Sequence, residues 1–72
     1  MSIEELDEVV LTTEIPSVGL GKGQSGVVVH LHADGELCEV EFFDDTGSTI
    51  GVKTVSKRDL IPDPRRNLQR RR

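Results

Sequence analysis

The chain is predicted to be all-β, a small barrel of five short antiparallel strands, on three observations. Apolar and polar residues alternate on both sides of Asp34-Gly35, a dipeptide suited to a tight hairpin turn. A second turn, Asp45-Thr46-Gly47, suits a three-residue loop with glycine in the left-handed position. The registers that the two turns impose also agree. The first pairs Val27 with Phe42, Val29 with Val40 and Leu31 with Cys38. The second pairs Phe42 with Ile50, Val40 with Val52 and Cys38 with Thr54. That places one apolar face inward, and a slip of one residue in either hairpin would mix the faces. The opposite face receives the row His30, Glu39 and Lys53, with His32 opposite Leu37, and the row Val28, Glu41 and Gly51.

The elements follow in order. Ser2 to Leu6 can form one helical turn capped by Ser2. Asp7 to Thr13 alternates as a strand. Glu14 to Gly23 holds Pro16, Gly19, Gly21 and Gly23 and is a loop, with Ile15, Val18 and Leu20 available to tuck onto the core. The three meander strands are Gly26 to His32, Leu37 to Phe43 and Ser48 to Val55. Ser56 to Leu60 suits a single tight helical turn, and Ile61-Pro62 a short last strand held to an edge by its prolines. Residues 1–63 form the domain, and residues 64–72 a basic, disordered tail with Leu68 as its one apolar residue.

At 72 residues the chain has room for one small domain. Apolar residues are 35% and aromatics 3%, so Phe42 is the centre of a core of Val, Leu and Ile, with little room for an apolar-lined catalytic cleft. The net charge of −4 conceals an asymmetry. Residues 1–61 carry twelve carboxylates against four basic side chains, and residues 62–72 carry five arginines against one aspartate. The lone Cys38 faces inward, which suits a reducing compartment. No apolar run has the length of a membrane span and the N-terminus lacks a signal-peptide pattern. The expected location is cytoplasmic.

Strand, long loop, meander, short turn and short strand is the order of an SH3-like barrel. Gly21-Lys-Gly-Gln-Ser-Gly-Val-Val28 resembles the glycine- and lysine-rich opening of translation-factor and ribosomal barrels of the KOW type. The wider pattern is Asp7-Glu-Val-Val-Leu, Gly19-Leu-Gly-Lys-Gly, Gly26-Val-Val-Val, Glu39-Val-Glu-Phe and Thr54-Val-Ser-Lys-Arg-Asp-Leu60. It resembles a family of short bacterial barrels known only as a domain of unknown function, over about residues 6–62. The resemblance implies the fold, and such barrels host many roles. The basic tail lies outside the pattern.

Few residues suggest chemistry. Gly19, Gly21, Gly23 and Gly26 lack the Lys-Ser/Thr and the following helix of a phosphate cradle, so they suit a loop that turns into a strand. His30, His32 and Glu39 share a face, but Cys38 points away and the ligand count for a metal falls short. Asp44 and Asp45 are turn residues that do not face each other across a substrate. No catalytic set, cofactor or metal site is expected, and the chain is read as a non-enzyme.

Two charged features remain. Glu36, Glu39, Glu41, Asp44 and Asp45 lie within ten residues of one hairpin, either as a solvated surface or as a docking face for a basic protein. Arg65, Arg66, Arg70, Arg71 and Arg72 could hold phosphate backbones or an acidic partner, or could be a solubilising terminus. Against nucleic acid stand the acidic body and the lack of aromatic stacking platforms. The sequence therefore favours a non-catalytic, protein-binding module of bacterial type, such as an antitoxin, immunity or accessory subunit. The alternative is a ribosome- or RNA-associated accessory barrel of the KOW kind.

Overall fold

A computed structural model describes residues 3–65. Five strands form one antiparallel sheet: β1 (Glu8–Leu11), β2 (Ser25–Leu31), β3 (Leu37–Phe43), β4 (Thr49–Ser56) and β5 (Leu60–Pro62). Their spatial order is β4-β3-β2-β1-β5. β2, β3 and β4 form the expected meander. The expected tight turn is a 3-10 turn, Lys57–Asp59, capped by the Ser56 side chain, and it carries the chain across to β5 beside β1. The end strands β4 and β5 do not pair with each other, so the ladder is an open five-stranded sheet. Residues 66–72, most of the basic tail, lie outside the described residues, as does Ser2, the expected cap of the first turn.

The long loop is short of freedom despite its glycines. A bridge between Ile15 and Leu20 closes it over the 3-10 turn Pro16–Val18, and Leu20 drops into the core. Gln24 then ties the loop to β3 through its Nε2, which donates to the Phe43 carbonyl at 2.8 Å.

Both hairpin turns form, and each is followed by a β-bulge that the turns alone do not reveal. In the first hairpin His32 and Gly35 close the turn, with Gly35 N donating to the His32 carbonyl at 3.0 Å. Gly35 is left-handed (φ 76°) while Asp34 is not, so the turn is not the two-residue kind that needs both central residues left-handed. Asp34 Oδ1 instead accepts from Glu36 N at 2.8 Å and Leu37 N at 3.3 Å. Leu31 faces Cys38 and His30 faces Glu39, as the sequence predicts. Beyond them Val28, not Val29, faces Val40, and Gly26, not Val27, faces Phe42, with Val29 as the extra residue.

The second hairpin repeats this. Asp45 to Gly47 forms the expected three-residue loop, with Gly47 at φ 86°, and Phe43 faces Thr49. Ile50 is then extra, so Gly51 faces Phe42, Lys53 faces Val40 and Val55 faces Cys38. Val29, Ile50 and Val52, all expected inside, are 40%, 41% and 54% exposed. Val28 and Val55 are buried in their place, and Lys53 leaves the row of His30 and Glu39.

Packing around Phe42 gives the reason. Phe42, Val9, Val28, Val40 and Cys38 are fully buried, with Ile3, Leu11, Leu20, Val55 and Leu60 around them. A Cβ added at Gly26 would lie 2.7 Å from the Glu41 carbonyl oxygen, 2.7 Å from Val40 Cγ1 and 3.0 Å from Phe42 Cδ1. The position opposite Phe42 therefore has no room for the valine that the turn register put there. A bulge at Val29 brings glycine to that spot and still delivers Val28 to the core.

This packing predicts the cost of three substitutions, read by chemical denaturation. Phe42→Ala should cost about 3–5 kcal/mol, most of the stability of so small a domain. Gly26→Ala should cost roughly 1–3 kcal/mol by overpacking, since the Glu41 backbone cannot yield as a side chain would. Val28→Ala should cost clearly more than Val29→Ala, and the reverse order would contradict the bulge.

Candidate functional site

The face opposite the core is where side chains are available to other molecules. Alternation along the strands and the observed register build it in rows. One row runs Val52, Glu41, Val27 and Glu8 from β4 to β1. The next runs Thr49, Phe43, Ser25, Val10 and Ile61 from β4 to β5. Leu37, Val52 and Ile61 stand exposed, with Val10, Val27 and Phe43 half-buried between them. The face is an apolar strip interrupted by carboxylates.

The predicted acidic residues do not all meet there. Glu39 and Glu41 share the outer face of β3, while Glu36 lies in the turn before that strand and Asp44 and Asp45 in the turn after it. A seven-residue strand separates those two turns by roughly 23 Å at the usual rise. Several of these acids already have local work. Asp44 Oδ1 accepts from Thr46 N, Thr46 Oγ1 and Ser48 N at 2.6–3.0 Å, which closes the turn and holds the Asp44 carboxyl below its ordinary range. Glu41 accepts from Thr49 Oγ1 at 2.9 Å. Asp45 has no hydrogen-bond or ion-pair partner among the described residues.

Glu39 is the best-connected acid, through a partner the sequence did not assign. His32 Nε2 donates to Glu39 Oε2 at 2.6 Å, and Thr54 Oγ1 donates to the same carboxylate at 2.8 Å. His32 sits opposite Leu37, so Glu39 is its diagonal neighbour, within reach of a long side chain. His30, the expected partner, lies opposite Glu39 but turns toward Glu5 at 3.8 Å, where both side chains are well exposed. The two imidazoles are 5.7 Å apart and tilted. Among the described residues no three His, Cys, Asp or Glu side chains are grouped to hold a metal ion. Cys38 is buried with its Sγ 3.8 Å from the Val55 carbonyl, and burial pushes its thiol up, away from the reactive thiolate.

Sequence reasoning missed Asp63 and Arg65 as an ordered pair. Asp63 N continues the β1–β5 ladder by donating to the Glu8 carbonyl at 2.8 Å. Asp63 is only 7% exposed, and Arg65 closes over it. Arg65 Nε reaches Asp63 Oδ1 at 3.2 Å, Nη2 reaches Oδ2 at 3.1 Å, and Arg65 N reaches Oδ1 at 2.9 Å. The signal was present in Asp-Pro-Arg, because an aspartate followed by proline favours a turn closed by its own side chain.

Arg65 also lines two adjoining hollows. A hollow of about 230 Å³ is lined by Glu8, Ser25, Gly26, Val27, Phe43, Asp63 and Arg65. Across Ser25, Phe43 and Arg65 it adjoins a second, of about 400 Å³, which runs to Gln24, Asp44, Asp45 and Gly47. Both are lined by Phe43 and by acids that outnumber the one arginine.

The pairing of Glu39 has a pH signature. The hydrogen bond from His32, then that from Thr54, holds the Glu39 carboxyl below its ordinary 4.5. A depressed folded pKa contributes stability that is present above the unfolded value and lost as pH falls through the folded one. The contribution should therefore fade below about pH 4.5. Carboxyl-carbon NMR should show Glu39 titrating higher in Thr54→Val and in His32→Asn than in the wild type. If neither change moves it, the pairing is absent in solution.

Residues 5–62 match the model of a protein family described as a domain of unknown function, DUF4926. Among curated proteins and among solved structures, none matches the chain. The matched span takes in all five strands, both bulges and the outer face, and stops just before Asp63. This chain is a member of the DUF4926 family.

Proposed function

We propose that the chain is a non-catalytic module that binds another protein through the outer face of its sheet. One observation carries this reading: Leu37, Val52 and Ile61 stand exposed on the face that also bears Glu8, Glu39 and Glu41. An apolar strip with a charged surround is the composition of a docking surface rather than of an inert one. The acids select a basic partner and speed the encounter. Leu6 supports the same reading. It is 71% exposed on a left-handed backbone (φ 72°), pinned by its N–H to the Val28 carbonyl at 2.7 Å. A leucine in that conformation costs about 1–2 kcal/mol, and its exposed side chain buries little against the domain in return. An antitoxin, immunity protein or accessory subunit of an SH3-like kind would present such a face to its cognate protein.

The test is cross-linked capture from native cell extract with nuclease treatment, comparing the wild type with Val52→Lys. Lysine at 52 faces Glu41, so the fold should tolerate it, while it places charge in the apolar strip and repels a basic partner. A single protein should be recovered with the wild type, and recovery should drop roughly fivefold or more with Val52→Lys. Recovery that depends on RNA would contradict this reading and favour the RNA-associated alternative.

A further inference from the structure

The double hollow beside Arg65 has a shape and charge that define its occupant. Its floor is the half-buried Phe43, with Val27 and the small residues Ser25 and Gly26 beside it. Its rim holds four carboxylates, Glu8, Asp63, Asp44 and Asp45, against Arg65 alone. Asp63 is neutralised by Arg65, Glu8 shares the charge of that same guanidinium, and Asp44 has committed Oδ1 to its turn. Asp45, with no partner among the described residues, is the carboxylate left to meet a cation. An aromatic floor beside an unpaired acid suits a flat cation that can stack and donate two hydrogen bonds at once. Guanidinium meets both demands, and ammonium meets only the charge.

We propose that the hollow receives an arginine side chain of the protein partner, its guanidinium laid on Phe43 and paired with Asp45. This deepens the protein-binding reading and rests on it: the apolar strip across the outer face supplies area, and the hollow reads one basic residue. Arg65 frames the site from the other side. Its bidentate bond to Asp63 keeps that acid from competing for the incoming cation, which leaves selection to Asp45.

The experiment is an amide NMR titration of the full chain with three blocked tripeptides, Gly-Arg-Gly, Gly-Lys-Gly and Gly-citrulline-Gly. The arginine probe should shift the amides of Ser25, Phe43, Asp45, Gly47 and Arg65. The lysine probe should bind more weakly, and the neutral citrulline isostere should leave them in place. Asp45→Asn and Phe43→Leu should each weaken the arginine probe about three- to fivefold, the range of an exposed charge pair. Val52→Lys, which disrupts the strip, should leave the titration unchanged, so the hollow and the wider docking face fail separately. Equal shifts at Asp34, Glu36 and Asp45 would overturn the proposal in favour of unspecific charge attraction, as would an Asp45→Asn chain that binds like the wild type. A chain with Arg66, Arg70, Arg71 and Arg72 all changed to alanine should titrate as the wild type does. If that variant instead binds the probe much more tightly and its hollow amides move before any probe is added, the occupant is the chain's own basic segment and the proposal falls.

Discussion

The Phe42 ring lies against the bare backbone of Gly26, and the sheet is arranged to make that contact. The space that a side chain at residue 26 would need is already filled by the Glu41 carbonyl, Val40 and Phe42 itself. Phe42 is the largest fully buried side chain and one of only two aromatics in the chain, so its packing outweighs any single choice of register. Two bulges follow. The one at Val29 lets Gly26 and Val28 share the inner face. The one at Ile50 sets Gly51 opposite Phe42 and turns Val55 to the core.

The same shifts make the outer face. With straight ladders, Val27, Val29, Ile50 and Val52 would all be core residues, and the outer face would carry Val28 and Leu37 among His30, Glu39, Glu41 and Lys53. With the bulges, Val52 joins Glu41 and Val27 in one outer row, and Ile50 and Val29 stand exposed. Lys53 moves to the inner face of β4, the strand at the open end of the sheet. A bulge and an inward-turned lysine on an end strand are both known guards against edge-to-edge pairing. The arrangement therefore guards the β4 edge against pairing, which fits the use proposed for the sheet's outer face. Core packing and the make-up of the outer face are linked through one glycine.

Much of the fold was legible because turn chemistry is local. Asp34-Gly35 and Asp45-Thr46-Gly47 marked both hairpins, Phe42 was recognisable as the anchor, and Ser56 to Leu60 as the last tight turn. The bulges were not legible, since alternation stays apolar in either register: Val27-Val28-Val29 offers a valine to the core whichever way the strand slips. Only the space opposite Phe42 decides between them, and that is a tertiary fact. The site suffered from the same error. A one-residue shift gave Lys53 to the wrong face. The side-chain reach that joins His32 to Glu39 across a diagonal also escapes a reading made of directly opposed pairs. Asp63 and Arg65 escaped because the run of arginines reads as a solvated charge cluster, whereas their pairing depends on the Asp-Pro turn in front of it.

The most direct test of the account is the map of cross-strand contacts in solution. Nuclear Overhauser effects from the Val40 methyls should reach Val28 and the side chain of Lys53, and those from the Phe42 ring should reach the α-protons of Gly26 and Gly51. Val52 should instead show contacts with Glu41 and Val27. Contacts from Val40 to Val29 and Val52, with the Phe42 ring against Val27 and Ile50, would mean that the ladders run straight. The outer face proposed for docking would then not exist.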